Sequence, residues 1–232
     1  MKSLFALCTV FLLAGAVSAQ TEVEITSEPS HHLALQNQYV RVFQAEVAPH
    51  AATLMHRHRH DYIFVSLGAS QISNQVAGKP PVTLTLQDGE VRASDGGFAH
   101  IARNLAATPF RVVAVELLQD AKVHASPPAK WDDERSLHVL PGGTEEILFV
   151  KDGVRVSETE LQIAGSVSRH RHAHPELLIA VSGLLLRNDV AGKPASNLEM
   201  KSGDVKWFES GLTHSLTNVG QANAKFVTLE FQ

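Results

Sequence analysis

The amino-acid sequence predicts an all-β protein made of two tandem β-barrels that arose by duplication of one unit. Three observations lead to this prediction. The chain matches itself when it is displaced by 114 positions, so that His56 falls on His170. Each copy contains short runs that alternate apolar and polar residues between turn residues. No long segment with a helical period follows residue 19.

The internal repeat extends through nearly the whole chain at a constant spacing. "NQVAGKP" at 74–80 matches "NDVAGKP" at 188–194, and "GEV" at 89–91 matches "GDV" at 203–205. This period is far longer than that of a solenoid repeat, so each copy is itself the size of a domain. We expect one local shift, where Pro175 adds a residue before Glu176 and one residue is lost between Gly183 and Asn188. Three further pairs match: His100 with His214, Asn104 with Asn218, and Glu116 with Glu230.

Each copy contains runs that are typical of β-strands. In "VTLTLQDGEV" (82–91), Val and Leu alternate with Thr and Gln before a turn at Asp88-Gly89. "YVRVFQAEV" (39–47) and "FRVVAVELL" (110–118) are rich in Val and Phe, which favour strands. Turn residues recur roughly every 8–12 positions, a spacing that indicates a sandwich or a barrel.

The segments outside the two copies differ in composition. Residues 1–19 combine Lys2, an apolar stretch and small residues, as in a secretory signal peptide, with an uncleaved membrane anchor as the alternative. Cleavage there predicts a periplasmic or secreted protein with no membrane contact. The expected organisation is a signal peptide at 1–19, an N-terminal domain at 20–120 with a mobile lead-in at 20–31, a polar, Pro-rich linker at 121–143 and a C-terminal domain at 144–232.

The composition excludes several classes of function. The one cysteine, Cys8, lies in the predicted signal peptide, so the mature chain has neither a disulfide nor a thiol nucleophile. The formal net charge is −4 and no basic run occurs, so nucleic acid is not an expected partner. The motifs of serine hydrolases, dinucleotide-binding proteins and P-loop enzymes are absent from the sequence.

Histidine clusters predict the chemistry. The chain has 13 histidines, and six of them lie in "HRHRH" (56–60) and "HRHAH" (170–174). Residues i and i+2 of a strand face the same side, so two imidazoles of each cluster point together. Neutral imidazole is a common ligand of transition metals, and further ligands must come from elsewhere in each copy. The expected ligands are His170, His172, Glu176 and His214 in the second copy, and His56, His58 and His100 in the first.

These residues resemble the two motifs of the cupin superfamily, and the duplication resembles a bicupin. The first motif, H-x-H, three or four residues, Glu, six residues, Gly, is fitted by "HRHAHPELLIAVSG" at 170–183. The second motif, G-x5-P-x-G-x2-H-x3-N, is fitted at 203–218 and at 89–104, with Glu209 and Asp95 in place of its proline. The resemblance implies jelly-roll barrels that hold at most one divalent transition metal per domain, which could be Fe, Mn, Ni, Cu or Zn.

The first copy departs from the family pattern at the carboxylate. Asp61 lies seven residues before Gly68, where the glutamate of the family belongs, but only two residues separate it from His58. We expect Asp61 to be the metal ligand there, turned inward by a β-bulge. Tyr62 has the appropriate strand parity but is a poor ligand, and His60 is the other alternative.

The remaining histidines and two arginines have less specific interpretations. His60 and His174 could be partners of the ligands, acid/base groups in the pocket, or solvent-facing residues. Strand alternation points Arg57 and Arg171 outward. We interpret five histidines as surface residues: His31, His32, His50, His124 and His138.

The family resemblance implies three classes of function. A metal-dependent oxidoreductase of the dioxygenase type, acting on a small molecule, is the one we favour. It needs an apolar lining, which Phe64, Phe98 and either Trp207 or Phe208 could supply. A metal-dependent isomerase or lyase needs an inward acid or base, such as Glu116 or Glu230. A non-catalytic binder of metal or small ligand needs neither, and a homo-oligomer is compatible with all three.

Overall fold

A computed structural model describes residues 21–118 and 136–232. The predicted signal peptide and residues 121–135 of the predicted linker lie outside the described residues. The described chain is built from β-strands, with one short 3₁₀ turn at Ile25–Ser27. No helix in these two ranges is long and apolar enough to cross a membrane.

Residues 21–118 form ten strands arranged in two five-stranded sheets. The strands are β1 (Val23–Glu24), β2 (His31–Gln36), β3 (Val40–Val47), β4 (His56–His58), β5 (Tyr62–Leu67), β6 (Ser70–Val76), β7 (Val82–Leu86), β8 (Val91–Ser94), β9 (Phe98–Asn104) and β10 (Phe110–Leu117). One sheet has the order β1-β4-β9-β6-β7, and the other has the order β2-β3-β10-β5-β8.

Residues 136–232 form ten further strands in a six-stranded and a four-stranded sheet. The strands are β11 (Leu137–Leu140), β12 (Gly143–Lys151), β13 (Val154–Leu161), β14 (Ser166–Arg171), β15 (Glu176–Ala180), β16 (Leu184–Val190), β17 (Ser196–Met200), β18 (Val205–Phe208), β19 (Thr213–Asn218) and β20 (Ala224–Phe231). The orders are β11-β12-β13-β20-β15-β18 and β14-β19-β16-β17.

Strand register confirms the predicted duplication. In the first barrel β4 pairs with β9 so that His56 lies opposite His100. In the second, β14 pairs with β19 so that His170 lies opposite His214. Both residues of the second pair have numbers 114 higher than their counterparts in the first pair. The all-β prediction of two tandem barrels is therefore confirmed.

The largest buried cluster lies between the two barrels. It combines Val113 and Val115 of β10 with Val227 and Leu229 of β20, all fully buried. The alternate residues of these strands face the barrel interiors, and Phe226 belongs to a separate core inside the second barrel. Strands that are covered on both faces explain the nearly continuous apolar runs in the sequence. This packing brings the two barrels together through their outer sheet faces.

Two expectations about the ends of the domains need correction. The predicted linker at 121–143 overlaps β11, which pairs with β12 and adds an edge strand to the second barrel. The predicted lead-in at 20–31 is ordered by pairing: β1 runs parallel to β4, with Val23 opposite His56. Both strands are too short for their alternation to stand out in sequence, because a run of two to four residues carries almost no periodic signal.

The asparagine that ends each second motif stabilises a turn and does not contact the histidines. The Asn104 amide donates to the carbonyls of Val47 (3.0 Å) and Thr108 (2.8 Å), while its oxygen accepts from the Ala106 amide (2.9 Å). Asn218 makes the equivalent bonds in the second barrel. Buried amide groups must be satisfied in this way, so the motif position is structural.

Candidate metal centres

Three imidazoles converge inside the second barrel. Nε2 of His172 lies 3.3 Å from Nε2 of His170 and 2.8 Å from Nε2 of His214. Register creates this cluster, because His170 and His214 are paired residues of adjacent strands. One ligand atom from each of the three lies within 4.8 Å of the others. Three imidazole nitrogens aimed at one point suit a divalent transition metal.

Backbone and side-chain acceptors fix the orientation of these rings. Nδ1 of His170 donates to the Ser168 carbonyl at 2.9 Å, and Nδ1 of His214 donates to Oδ1 of Asn188 at 2.9 Å. A proton on Nδ1 leaves the lone pair on Nε2, the atom that faces the cluster. Burial, followed by the neighbouring imidazoles, lowers the pKa of His214 to about 3 and that of His172 to about 4. His172 and His214 are therefore neutral at pH 7, as metal binding requires.

Glu176 lies beside this triad but outside its tight group of nitrogens. Oε2 of Glu176 is 3.8 Å from Nδ1 of His172. Burial, and then the charges of Glu230 and Glu145, raise the pKa of Glu176 to about 8. The carboxyl group is thus one that a nearby cation would deprotonate.

The C-terminal triad opens onto a polar cavity of about 360 Å³. Arg155 and Glu230 line it and are joined by a hydrogen bond of 2.5 Å. Phe208 covers the opposite side of the histidines, with its ring stacked on His172 at 5.5 Å. Trp207 packs instead in the cluster between the barrels. Of the two aromatic residues, Phe208 is therefore the one that faces the histidines.

The first barrel contains the equivalent triad in a more buried and more apolar environment. His56, His58 and His100 are almost fully buried, and one ring nitrogen of each lies within 4.8 Å of the others. Nδ1 of His56 is 3.0 Å from the Leu54 carbonyl, and Nδ1 of His100 is 2.6 Å from Oδ1 of Asn74. Within the described residues, Nε2 of His56 and Nε2 of His100 have no hydrogen-bond partner. Buried nitrogens left without a partner are costly unless something else binds them, and a metal ion fits that role.

The N-terminal cavity differs from the C-terminal one in size and polarity. Its volume is about 70 Å³, and apolar side chains such as Phe64, Ile72 and Phe110 line most of it. Burial, followed by neighbouring histidines, lowers the pKa of His56 to about 4 and that of His100 well below its ordinary value. Both imidazoles are therefore neutral at pH 7.

Tyr62 takes the place in the first barrel that Glu176 occupies in the second. Tyr62 pairs with Glu116, and Glu176 pairs with Glu230, so the offset of 114 continues through this stretch. The expected insertion at Pro175 is therefore wrong. The Tyr62 ring stacks on His58, with centroids 4.0 Å apart. A tyrosine stacked on a ligand ring contributes packing where the other barrel has a carboxyl group.

The structure does not bring Asp61 to the first triad. Its carboxylate accepts a hydrogen bond from the Gly96 amide at 2.8 Å and lies 3.0 Å from Nζ of Lys151 in the second barrel. Lys151 also contacts Asp95 and Asp152 at 3.0 Å. The opposite strand parity, which a bulge was expected to overcome, instead directs Asp61 to a contact between the barrels.

The extra histidines of the two clusters are not part of the triads. His60 and His174 are half-buried in the bends that follow the ligand strands. Arg57, as expected, faces outward, where its guanidinium donates to the Gly97 carbonyl and to Glu22.

The surface interpretation of the scattered histidines is wrong for His31. His32, His50 and His138 are exposed, and His124 lies outside the described residues. The His31 side chain, however, is only 6% exposed and lines the N-terminal cavity.

Sequence reasoning missed Asn74 and Asn188 as functional residues. Both begin the repeated "N-x-V-A-G-K-P" segment, and that repetition was the available signal. Their equivalent contacts with His100 and His214 explain why the first residue of the segment is the same in both copies.

Comparison with known proteins agrees with this geometry. Residues 157–230 match the family model described as Cupin domain, and they contain the whole C-terminal triad. The crystal structure of AerE from Microcystis aeruginosa superposes with a TM-score of 0.60, covering 88% of this chain and 98% of that chain, at 14% identity. This chain is a bicupin by fold. A variant of oxalate decarboxylase from Bacillus subtilis gives a TM-score of 0.60 over 87% of the bicupin and 75% of its own chain, at 12% identity.

A second structure of the Bacillus subtilis oxalate decarboxylase, from work on its Mn(II) centres, gives a TM-score of 0.61. It covers 87% of the bicupin and 75% of its own chain, at 12% identity. A comparison with curated protein sequences finds no match. At these identities the solved structures establish the fold of the bicupin and leave its chemistry to be argued from the centres.

Replacing Asn188 by Ala should weaken metal binding at the C-terminal centre. The acceptor that holds Nδ1 of His214 is lost, so the ring is no longer fixed with its Nε2 toward the triad. Loss of such a partner lowers metal affinity by about 10–100-fold. The affinity should be measured by chelator competition in a His58→Ala background. Asn197→Ala, an exposed change on β17, is the control and should leave the affinity unchanged. Equal affinities in the two variants would contradict the prediction.

Proposed function

We propose that the bicupin is a secreted, metal-dependent oxidoreductase of the dioxygenase type that acts on a small molecule at its C-terminal centre. One observation carries the proposal. Three histidines, two of them with Nδ1 held by an acceptor, converge beside a carboxyl group at the wall of a polar cavity of about 360 Å³. A divalent metal held there by His170, His172 and His214 would supply Lewis acidity and open coordination positions for substrate and dioxygen.

The surrounding side chains suit a small substrate rich in oxygen atoms. Arg155 offers a cationic group in the cavity, and its bond to Glu230 holds it against β20. Thr228 and Ser168 add hydroxyl groups to the same lining. These groups can orient a carboxylate or an enol, while Phe208 behind the triad excludes water from one side.

The N-terminal centre is a poorer candidate for substrate turnover. Its triad is almost fully buried, and the cavity of about 70 Å³ holds no more than a very small molecule. We therefore assign turnover to the C-terminal centre. Support for a metal also comes from the oxalate decarboxylase that shares the fold and is described with Mn(II) centres. The signal-like residues 1–19 support secretion.

An oxygen-uptake assay tests the proposed function. Mature protein without a histidine tag would be loaded separately with Fe(II), Mn(II), Ni(II) or Cu(II). Each sample would then be given catechols, β-diketones, flavonols and oxalate. We expect metal-dependent oxygen consumption with at least one compound class, reduced to background by His172→Ala and retained by His174→Ala.

The outcomes of this assay separate the three classes of function. Product formation without oxygen uptake would overturn the dioxygenase assignment in favour of an isomerase or lyase. Metal bound through His172 with no turnover of any compound would leave a non-catalytic binder.

A further inference from the structure

The N-terminal cavity contains a fourth histidine in addition to its triad. His31 begins β2, and its ring centroid lies 4.7 Å from that of His56 and 6.4 Å from that of His58. Ring centroids within the triad itself are 4.5–5.2 Å apart. The His31–His56 separation thus falls within the range of the triad, although the two residues come from different sheets, whereas the His31–His58 separation exceeds that range and places His31 at the His56 side of the tight group.

A buried carboxylate holds this fourth ring in place. Oε2 of Glu28 accepts from Nδ1 of His31 at 2.7 Å, and the Glu28 residue is 3% exposed. The same carboxylate also accepts from the backbone amides of Ser30 (2.8 Å) and Leu54 (3.1 Å). Burial of a carboxylate is costly unless such donors compensate it. The arrangement fixes the proton of His31 on Nδ1 and leaves the lone pair on Nε2, as in the carboxylate–histidine pairs that orient metal ligands.

The two barrels have different ligand-donor groups at two equivalent positions. His31 pairs with Ala45, and Glu145 pairs with Thr159, so His31 and Glu145 correspond at the offset of 114. Tyr62 and Glu176 correspond in the same way. The second barrel therefore has two carboxyl groups where the first has an imidazole and a phenol. At these two positions the first barrel has a nitrogen donor and no carboxylate, and its nearest triad carboxylate is Glu116, 3.7 Å from Nδ1 of His58.

We propose that His31, oriented by Glu28, is a fourth imidazole ligand of the N-terminal centre, which makes that centre an all-nitrogen site. The inference rests on the metal binding assumed in the proposed function, but not on turnover. Imidazole donors suit Cu(II), Zn(II), Ni(II) and Fe(II), whereas carboxylate oxygens suit Mn(II). The N-terminal centre should therefore discriminate against Mn(II) more strongly than the C-terminal centre.

Copper binding to a protein with a disabled C-terminal centre tests this proposal. In the His172→Ala background, Cu(II) affinity is measured by chelator competition, and the nitrogen ligands are observed by pulsed electron paramagnetic resonance. The key variant is His31→Asn, because its amide can replace Nδ1 as the donor to Glu28 but offers nothing in place of Nε2. Glu28→Gln tests the orienting group. His32→Ala, exposed on the same strand, is the matched control.

We expect His31→Asn to lower Cu(II) affinity by more than about 10-fold and to remove one imidazole from the spectrum. Glu28→Gln should lower affinity by about 10–100-fold with the spectrum altered, and His32→Ala should change neither. A His31→Asn protein with unchanged affinity and spectrum but a lower melting temperature would overturn the proposal and leave a structural role.

A baseline variant completes the test. If copper binds no more strongly to His172→Ala than to the double variant His58→Ala/His172→Ala, the N-terminal centre binds no metal. That result would also overturn the proposal. Failure of the proposed enzymatic function has a different signature. It appears as absent oxygen uptake at the C-terminal centre, which these copper measurements do not involve.

Discussion

Replacing His172 by Ala is expected to remove one equivalent of metal from the bicupin, and replacing His58 by Ala is expected to remove the other. His172 is the central member of its triad, since its Nε2 lies within 3.3 Å of both other ligand nitrogens. Without it, two imidazoles remain on one side of an open cavity. The loss of affinity should exceed the roughly 10–100-fold caused by removing a partner of a ligand.

Elemental mass spectrometry on untagged mature protein measures this loss directly. His174→Ala and His60→Ala are matched controls, because each removes a half-buried histidine two residues from a ligand and outside the triads. Both controls should retain two equivalents. One equivalent that is lost only with His172 would make the first barrel a structural partner. No metal in any sample, even after incubation with divalent ions, would contradict both centres.

The triads could be predicted from sequence because their geometry is local in each strand. His56 and His58 alternate with Arg57, and period two alone places both imidazoles on one face. The repeat then supplied His100 and His214 as partners at equal spacing. The strands buried on both faces were visible as apolar runs, but nothing in β10 alone shows that Val113 faces the other barrel while Val112 faces the interior.

The errors arose where the decisive contact is between strands. The spacing to Gly68 predicts Asp61 as the ligand. Strand pairing across the sheet instead makes Tyr62 the equivalent of Glu176. The copies therefore have the same length here, and only the glycine of the turn differs in position, Gly68 in the first copy and Gly183 in the second. His31 carries no local signal, because its approach to His56 depends on how two separate sheets pack.

Metal binding at the C-terminal centre is expected to release about one proton at pH 7. The pKa of Glu176 is about 8 in the metal-free protein, so its carboxyl group is mostly protonated at that pH. A cation beside His172 favours the carboxylate and displaces the proton. His172 and His214 contribute almost none, because their pKa values are about 4 and 3. The N-terminal centre, where His56 has a pKa of about 4 and Tyr62 replaces the carboxyl group, should release almost none.

Titration calorimetry in two buffers of different ionisation enthalpy counts these protons. The His58→Ala protein reports the C-terminal centre and should release about one proton per metal. The His172→Ala protein reports the N-terminal centre and should release close to none. Glu176→Gln in the His58→Ala background should abolish the release, because an amide has no proton to give up in this range. Equal proton release from both centres would contradict the prediction.

The stability of the metal-free protein provides an independent check on Glu176. Its pKa is raised in the folded state, so its stabilising contribution is complete below the unfolded value near 4.5 and is lost as the pH rises through about 8. The lowered pKa values of five triad histidines act in the opposite direction around and below their unfolded value of about 6.5, where an unfolded imidazole is half protonated. These histidine contributions cancel in the difference between wild type and Glu176→Gln, so that difference isolates the Glu176 effect. Between pH 6.5 and 8 the free energy of unfolding of wild type should fall by about 2 kcal/mol relative to the variant, at about 1.4 kcal/mol per unit.

Urea denaturation of wild type and Glu176→Gln at pH 6.5 and pH 8 tests the raised pKa of Glu176 separately from its deprotonation on metal binding. Wild type should lose stability relative to Glu176→Gln as the pH rises. If this relative loss appears but metal binding releases no proton, Glu176 is protonated as expected yet remains outside the metal's coordination. If neither effect appears, the carboxyl group is already ionised at pH 7, and the charges of Glu230 and Glu145 must be compensated within the cavity by Arg155.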